Sequence, residues 1–408
     1  MRTTATHSAA TAAPWALAAA LLLTGWTTLP QAAPFTPARD DEVVQRLPTR
    51  LDAAARQQRT RLARDPQQLP LALATAQTAI ERARRFGDPR ELGQAQGALA
   101  PWWGLADPPP AVRLLRATVR QSQHDFAAAL TDLEALSADS AVPLAVQAQA
   151  GLTRASVLQV TGRWAEARRV CESLQAVRFE PLGAVLSRLA RACVAELRSL
   201  QGEPRQAAAD LTALAREAPG DRWLALLRAE LAQRMGDDAA ARIHFRAAVS
   251  ADAEVYAVAA QADWLLDRGQ LREALALVDT GDTEADALLL RRAIALHRLG
   301  DARAPAAVAA MKARLDAARL RGEVHAREEA RLALEALNEP ARALTLAVEN
   351  WTQQKEPADA VLLARAAVAA GQPAAAGPVW TLVREAGWSD VRLASLVLVE
   401  ANATKARP

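Results

Sequence analysis

Apolar residues along this chain recur at helical spacing in short bursts, each cut by a turn. The clearest burst is Asp221 to Asp252. Leu224, Leu227 and Leu231 fall on one face of a helix that runs to about Met235. Gly236 then ends it, because glycine enters the left-handed conformation without a Cβ clash. Asp237 and Asp238 suit the next N-terminus by capping and by attraction to the helix dipole. The second helix carries Ala241, Phe245 and Ala248 on one face. Such a pair buries its apolar faces only against copies of itself.

The copies are present. A helix-breaking position recurs as Gly87, His124, Gly162, Gly202, Gly236, Gly269, Gly300, Asn338 and Gly371, at intervals of roughly 31 to 40 residues. Seven residues before it stand Ile80, Ala117, Ala155, Ala195, Ala229, Ala262, Ala293, Arg331 and Ala364. Five residues after it stand Leu92, Ala129, Ala167, Ala207, Ala241, Ala274, Pro305, Ala343 and Ala376. Two columns of small residues in register with one turn describe a packed helical hairpin. The seventh unit departs, with Pro305 in the alanine column and a second helix that runs long, to about Arg321.

At this point the chain resembles the tetratricopeptide repeat family, whose period is about 34 residues. Ala241 and Phe245 match its A-x3-F element, Ala207 matches the same alanine, and Pro219 matches its closing proline. The first-helix Trp and Tyr of the family are mostly absent, and its Gly is replaced by Ala. The resemblance implies an all-α, right-handed α-solenoid of about nine hairpins over residues 69–386. Residues 34–68 form an N-terminal arm and a charged helix, Thr49 to Arg64. Residues 387–408 supply a capping helix, from Asp390 to Glu400, and a loose tail. The segment PWWGLADPPP, Pro101 to Pro110, reads as non-helical. Its Trp102 and Trp103 either anchor a partner or fold back over the open end of the stack, and folding back is the favoured reading.

Composition sharpens this. Aromatic residues are only 4% of a chain that is 51% hydrophobic, so alanine supplies much of the apolar surface and helices are favoured. The net charge is +3, with Arg interleaved among Asp and Glu, which does not point to nucleic acid. Residues 1–33 read as a secretory signal, with an apolar run from Ala12 to Trp26 and a small-residue exit near Ala33. The alternative is an uncleaved anchor. No stretch of the mature chain is apolar enough to span a membrane. The expected location is the periplasm or outside the cell. Cys171 and Cys193 fall in the second helix of one hairpin and the first helix of the next. They form either a disulfide, as an exported chain favours, or two buried thiols.

Catalytic signatures are missing: the sequence has no GxxxxGK[ST], HExxH or GxSxG. His325 with Glu328 and Glu329 reads as a solvated charged face rather than a metal site, so no metal, cofactor or enzymatic activity is expected. The resemblance places the groove-facing positions 13, 10 and 6 residues before each turn. They are Trp223, Leu226 and Glu230, then Tyr256, Ala259 and Asp263, with Glu196 in the neighbouring unit; Asp267 is a further candidate. The same row continues through Ser156 and Thr118 on one side and reaches Arg365 at the far end. This acidic, aromatic-edged trough is expected to bind a cationic or extended segment of another envelope protein. The alternative is a solvated surface that keeps the stack soluble. The chain thus reads as a non-catalytic scaffold or adaptor of the bacterial cell envelope. The rival readings are a helical accessory subunit of a peptidoglycan-acting enzyme, or a membrane-anchored assembly factor if the signal is retained. None of these readings includes an enclosed cavity of converging polar groups.

Overall fold

The computed structural model describes Arg39 and residues 53–250, 253–280, 285–320, 322–323 and 325–396. The chain divides into two units, Met1–Leu47 and Pro48–Pro408. The first contains a single described residue, so the expected signal over residues 1–33 lies outside the described residues. So do the tail beyond Leu396 and the Asn402-Ala403-Thr404 sequon.

The second unit is an all-α solenoid of nine tetratricopeptide-like hairpins. A leading helix, α1 (Ala53–Arg64), precedes α2 (Leu69–Phe86) and α3 (Arg90–Ala98), and one short turn follows, α4 (Ala100–Trp103). Then come α5 (Pro110–Ser122) with α6 (Phe126–Ala138), α7 (Leu144–Val160) with α8 (Trp164–Ser173), and α9 (Gly183–Leu200) with α10 (Pro204–Glu217). The middle pairs are α11 (Arg222–Met235) with α12 (Asp238–Ala248) and α13 (Val255–Asp267) with α14 (Leu271–Val278). The last are α15 (Asp286–Leu299) with α16 (Ala304–Leu320), α17 (Ala326–Glu335) with α18 (Pro340–Gln353), and α19 (Pro357–Ala369) with α20 (Gly377–Ala386). Among the described residues there is no strand, and no helix is long and apolar enough to cross a membrane.

The turn chemistry follows the sequence closely. All nine turn residues have positive φ, including the two that are not glycine, His124 at 63° and Asn338 at 53°. In seven of the nine hairpins the N–H after the turn residue donates to the carbonyl four residues before it, as Asp237 does to Ala232. Asp221 and Asp237 cap α11 and α12 by accepting from Leu224 and Ala240 N–H at 3.1 and 2.9 Å. The alanine columns are buried, as are Phe245 and Ala248.

Three local expectations change. In the eighth hairpin the N–H after the turn reaches one residue further back, from Glu339 to Ala333. One extra residue therefore precedes the turn, Ala330 takes the buried column place, and Arg331 turns away from it. In the seventh hairpin α16 starts late and runs long, so Ala304 is buried while Pro305 is exposed. The segment after Ala98 does contain helix: Pro101 sits in the first turn of α4, where its missing N–H has no helical partner to lose. Trp102 and Trp103 pack against the core of the first hairpin, and Arg116 donates to the Trp103 and Leu105 carbonyls at 2.6 and 2.9 Å.

A non-local feature was absent from the sequence reading. The second half of the solenoid lies against the first. One apolar cluster unites Ala155, Leu158, Trp164 and Leu197 of the third and fourth hairpins with Leu344, Trp351, Trp380 and Trp388 of the chain's end. Trp164 meets Trp388 edge to face, ring centroids 5.5 Å apart. Along the same seam Lys355 N–H donates to Val160 O at 2.7 Å, and Gln354 reaches His124 Nδ1 at 3.2 Å. The expected open inner face is covered by the protein itself.

Cys171 and Cys193 form a disulfide between α8 and α9, with Cα atoms 6.0 Å apart. Closing a loop of this length contributes about 3 kcal/mol in the chain-entropy account. A thiol titration of the denatured, unreduced protein should find no free cysteine, and two after reduction, with a lower melting temperature in the reduced state. A second measurement isolates the seam. A Cβ on Gly202 would lie 3.0 Å from the Gly387 carbonyl oxygen, whereas one on Gly269 would meet open space, and both residues have positive φ. In urea, Gly269→Ala should lose about 1 kcal/mol, the backbone strain alone, and Gly202→Ala clearly more. Equal losses would mean that the two halves do not press together at this point.

Candidate functional site

Six residues before each turn, the first helix points toward the inside of the solenoid. Because the second half covers that side, four of these positions, Glu196, Glu230, Asp263 and Arg365, line an internal trough of about 390 Å³. The hairpins contribute Glu196 from α9, Glu230 from α11, and Tyr256, Asp263 and Asp267 from α13. Opposite them the later helices contribute Arg291, Arg327, Arg331, Arg365 and the Arg392 side chain. Five of the seven groove residues expected from sequence are thus brought together. The other two are not: Leu226 is buried in a core cluster and Trp223 is exposed away from the trough lining.

The trough acids contributed by α9, α11 and α13 fall into two groups. Asp263 accepts from Arg291 Nη2 at 2.5 Å and from Arg331 Nη1 at 2.7 Å. Burial opposes its ionisation, but the two guanidinium charges outweigh burial and hold its carboxyl below the usual range. Arg331 also holds Glu335 at 2.9 Å. Asp267 accepts from Arg365 Nη1 at 2.8 Å. The cation expected from a partner is, at this end, supplied by the chain itself. That pairing was half legible in the sequence, since Arg331 is the one charged residue in the first alanine column.

Glu196 and Glu230 form the other group. Neither has an ion pair among the described residues. Gln159 Nε2 donates to Glu196 Oε1 at 2.7 Å, and the Tyr256 hydroxyl donates to Glu230 Oε1 at 2.8 Å. Tyr256 is 55% accessible and lines the trough. Burial raises the Glu196 carboxyl above its ordinary range, with the Gln159 bond working against it. Burial, together with the charge of Glu196, pushes Glu230 up to about 7, against the opposing pull of Arg234 and the Tyr256 bond. The Glu230 charge and burial raise the Tyr256 hydroxyl well above its usual value.

Histidines and metals add nothing here. Among the described residues no group of three or more His, Cys, Asp or Glu is placed to hold a metal ion. Glu329 is not on a solvated face as expected: it is buried, with Arg319 Nη2 3.0 Å away. Glu328 lines the trough.

No protein-family model matches the chain, and no curated protein matches it. Solved structures similar to it include these three. A chain of the APC/C hetero-tetramer Cut9–Hcn1 is 16% identical, with a TM-score of 0.43; the match covers 77% of this chain and 58%, less than two thirds, of that one. The human IFIT1 dimer with PPP-AAAA is 11% identical over 85% of this chain and 83% of that one, TM-score 0.42. The TPR domain of P58(IPK) is 14% identical over 78% and 93%, TM-score 0.20. The fold assignment rests on the hairpins described above.

The raised value of Glu230 has a consequence for stability. The folded state holds that proton more tightly than the unfolded state, whose carboxyl has its ordinary value. Folding stability is therefore highest, for this group, below the ordinary carboxylate range and is lost as pH rises toward 7. Glu230→Gln removes the loss. Calorimetry should show the variant melting a few degrees above the parent at pH 8 and level with it at pH 4.

Proposed function

We propose that this protein is a non-catalytic interaction scaffold of the bacterial cell envelope, holding part of a partner protein in its internal trough. One observation carries the reading. The trough keeps open volume, and its Glu196 and Glu230 have no direct salt bridge among the described residues, although the chain supplies arginines in contact with the acids beside them. A surface serving only solubility has no reason to hold such groups away from bulk water, where burial disfavours their charge. Rigid stacked hairpins support the same reading, because a preformed surface lowers the ordering cost of whatever lies in it.

The envelope setting is supported by the signal-like residues 1–33 and by the disulfide, which persists in oxidising compartments. The partner segment is cationic, since Glu196, Glu230 and Glu328 line the trough without a salt bridge among the described residues.

A photo-crosslinking amino acid in place of Tyr256, in cells that make the protein, should give a discrete protein adduct. The same probe at Ile243, which is 64% exposed on α12, should not. Glu230→Lys in the Tyr256 background should abolish the adduct while helicity persists. No adduct at Tyr256, or equal adducts at both positions, would reject the trough as the partner surface.

A further inference from the structure

The trough narrows the chemistry of its ligand further than a cationic segment. Glu196 and Glu230 occupy the same register in adjacent hairpins, six residues before Gly202 and Gly236. Each accepts a single hydrogen bond through Oε1, so Oε2 of each has no partner among the described residues. Gln233 lies one helical turn beyond Glu230 and lines the same trough. It is only 7% exposed, and its side-chain amide has no hydrogen-bond partner among the described residues. Arg234 beside it does not neutralise the pair by direct contact: its Nη2 donates to Ser199 Oγ at 2.7 Å, and its Nε is buried without a partner.

The unmet acceptors are three, two carboxylate oxygens and one amide oxygen; the Gln233 Nε2 and Arg234 Nε beside them are unmet donors. A primary ammonium carries three donors and no acceptor, so it can meet all three acceptors at once. A guanidinium presents five donors in a planar fork, which this set leaves partly unmet. A calcium ion takes about six to eight oxygens, more than are on offer. Next to these polar groups the trough is walled by Leu200, Ala259, Val361 and Leu362, apolar surface suited to an alkyl chain.

We propose that Glu196 and Glu230, with Gln233 and Tyr256, form a binding site for the primary ammonium end of an alkylamine. This deepens the reading of the trough as a recognition surface and rests on it. The amine belongs either to a lysine side chain of the partner or to a free diamine, and the two sources share one chemistry.

Isothermal titration of the purified full chain tests this with three probes: cadaverine, an acetylated and amidated lysine, and pentanol as the uncharged control. At least one ammonium probe should bind saturably at one site, and pentanol should not. Cadaverine alone binding identifies a free diamine; binding of the lysine derivative identifies a partner's side chain. Glu196→Gln and Glu230→Gln should each weaken binding by about tenfold or more, since each removes a buried counter-charge. Tyr256→Phe should cost less and serves as the readout if a glutamine variant loses its helical circular dichroism.

Binding should also tighten from pH 6 to pH 8 and release protons near neutrality. The groups that bear on Glu230 there are Glu196, Arg234, Tyr256, Glu356 and Arg392. Glu230 itself and, of these, Glu196 are carboxylates held above their ordinary range. No saturable binding by either ammonium probe, or undiminished binding in both folded glutamine variants, would overturn the site. A Tyr256 cross-link obtained alongside such a failure would keep the trough as a partner surface and remove only the amine.

Discussion

Between the two helices of every hairpin the chain passes through one residue in the left-handed conformation, and the rest of the structure depends on that turn. It sets the angle at which the second helix returns, and so the packing of the alanine columns. It also forms a rim of low relief. In four of the first five hairpins that rim is glycine, and the second half of the solenoid rests on it. Gly87 meets Val255 and Ala285, Gly162 meets Lys355, Gly202 meets Gly387, and Gly236 meets Val391. The fifth, His124, uses its side chain instead, against Gln354. At Gly269, Gly300 and Gly371 the same position faces open space. Backbone conformation alone accounts for glycine in the later hairpins. In the earlier ones close approach adds a second reason.

Closure converts an outer surface into an interior, and the electrostatics follow from that. A carboxylate on an open concave face would keep most of its hydration. Under the second half it is desolvated, and it then needs either a counter-charge or a proton. Asp263 and Asp267 take the first course: Arg291 comes from the next hairpin, while Arg331 and Arg365 are distant in sequence and reach them because the later hairpins lie against the earlier ones. Glu196 and Glu230 take the second in part, and the Glu230 carboxyl moves to about 7.

The hairpins were legible because their determinants are local. A left-handed turn, a cap and two small residues all lie within one repeat, so each could be read without knowing where its neighbours go. Even His124 and Asn338, which break the glycine pattern, were placed correctly by register. The shifts at Pro305 and Arg331 were visible only as wrong residues in a column, which left the register around 300–340 open, because a one-residue change of loop length leaves no other mark. Closure escaped for a different reason. It depends on a small rotation per repeat summed over several hairpins, and no single stretch encodes that sum. The acidic stripe was therefore visible, while the arginines that neutralise half of it were not recognised as its partners. Leu226 was misjudged for the same cause, since the face that counts as inner depends on how tightly the units wind.

The two kinds of position are separable, and this bears on how such a protein acquires a ligand. Packing uses the column seven residues before each turn; the trough uses the next residue along, roughly 100° around the helix. Along that neighbouring row the residues run from Thr118 and Ser156 to Glu196, Glu230 and Asp263, with Arg365 in the ninth hairpin. Polarity can change there while the alanines keep every hairpin packed. Ile294, in the same row of the seventh hairpin, is fully buried and shows the limit of the rule: where the winding turns a hairpin inward, the row reverts to core. On the proposed reading, recognition is confined to the hairpins whose inner row still opens on the trough, and the two acids of that row without a salt bridge stand in the fourth and fifth hairpins.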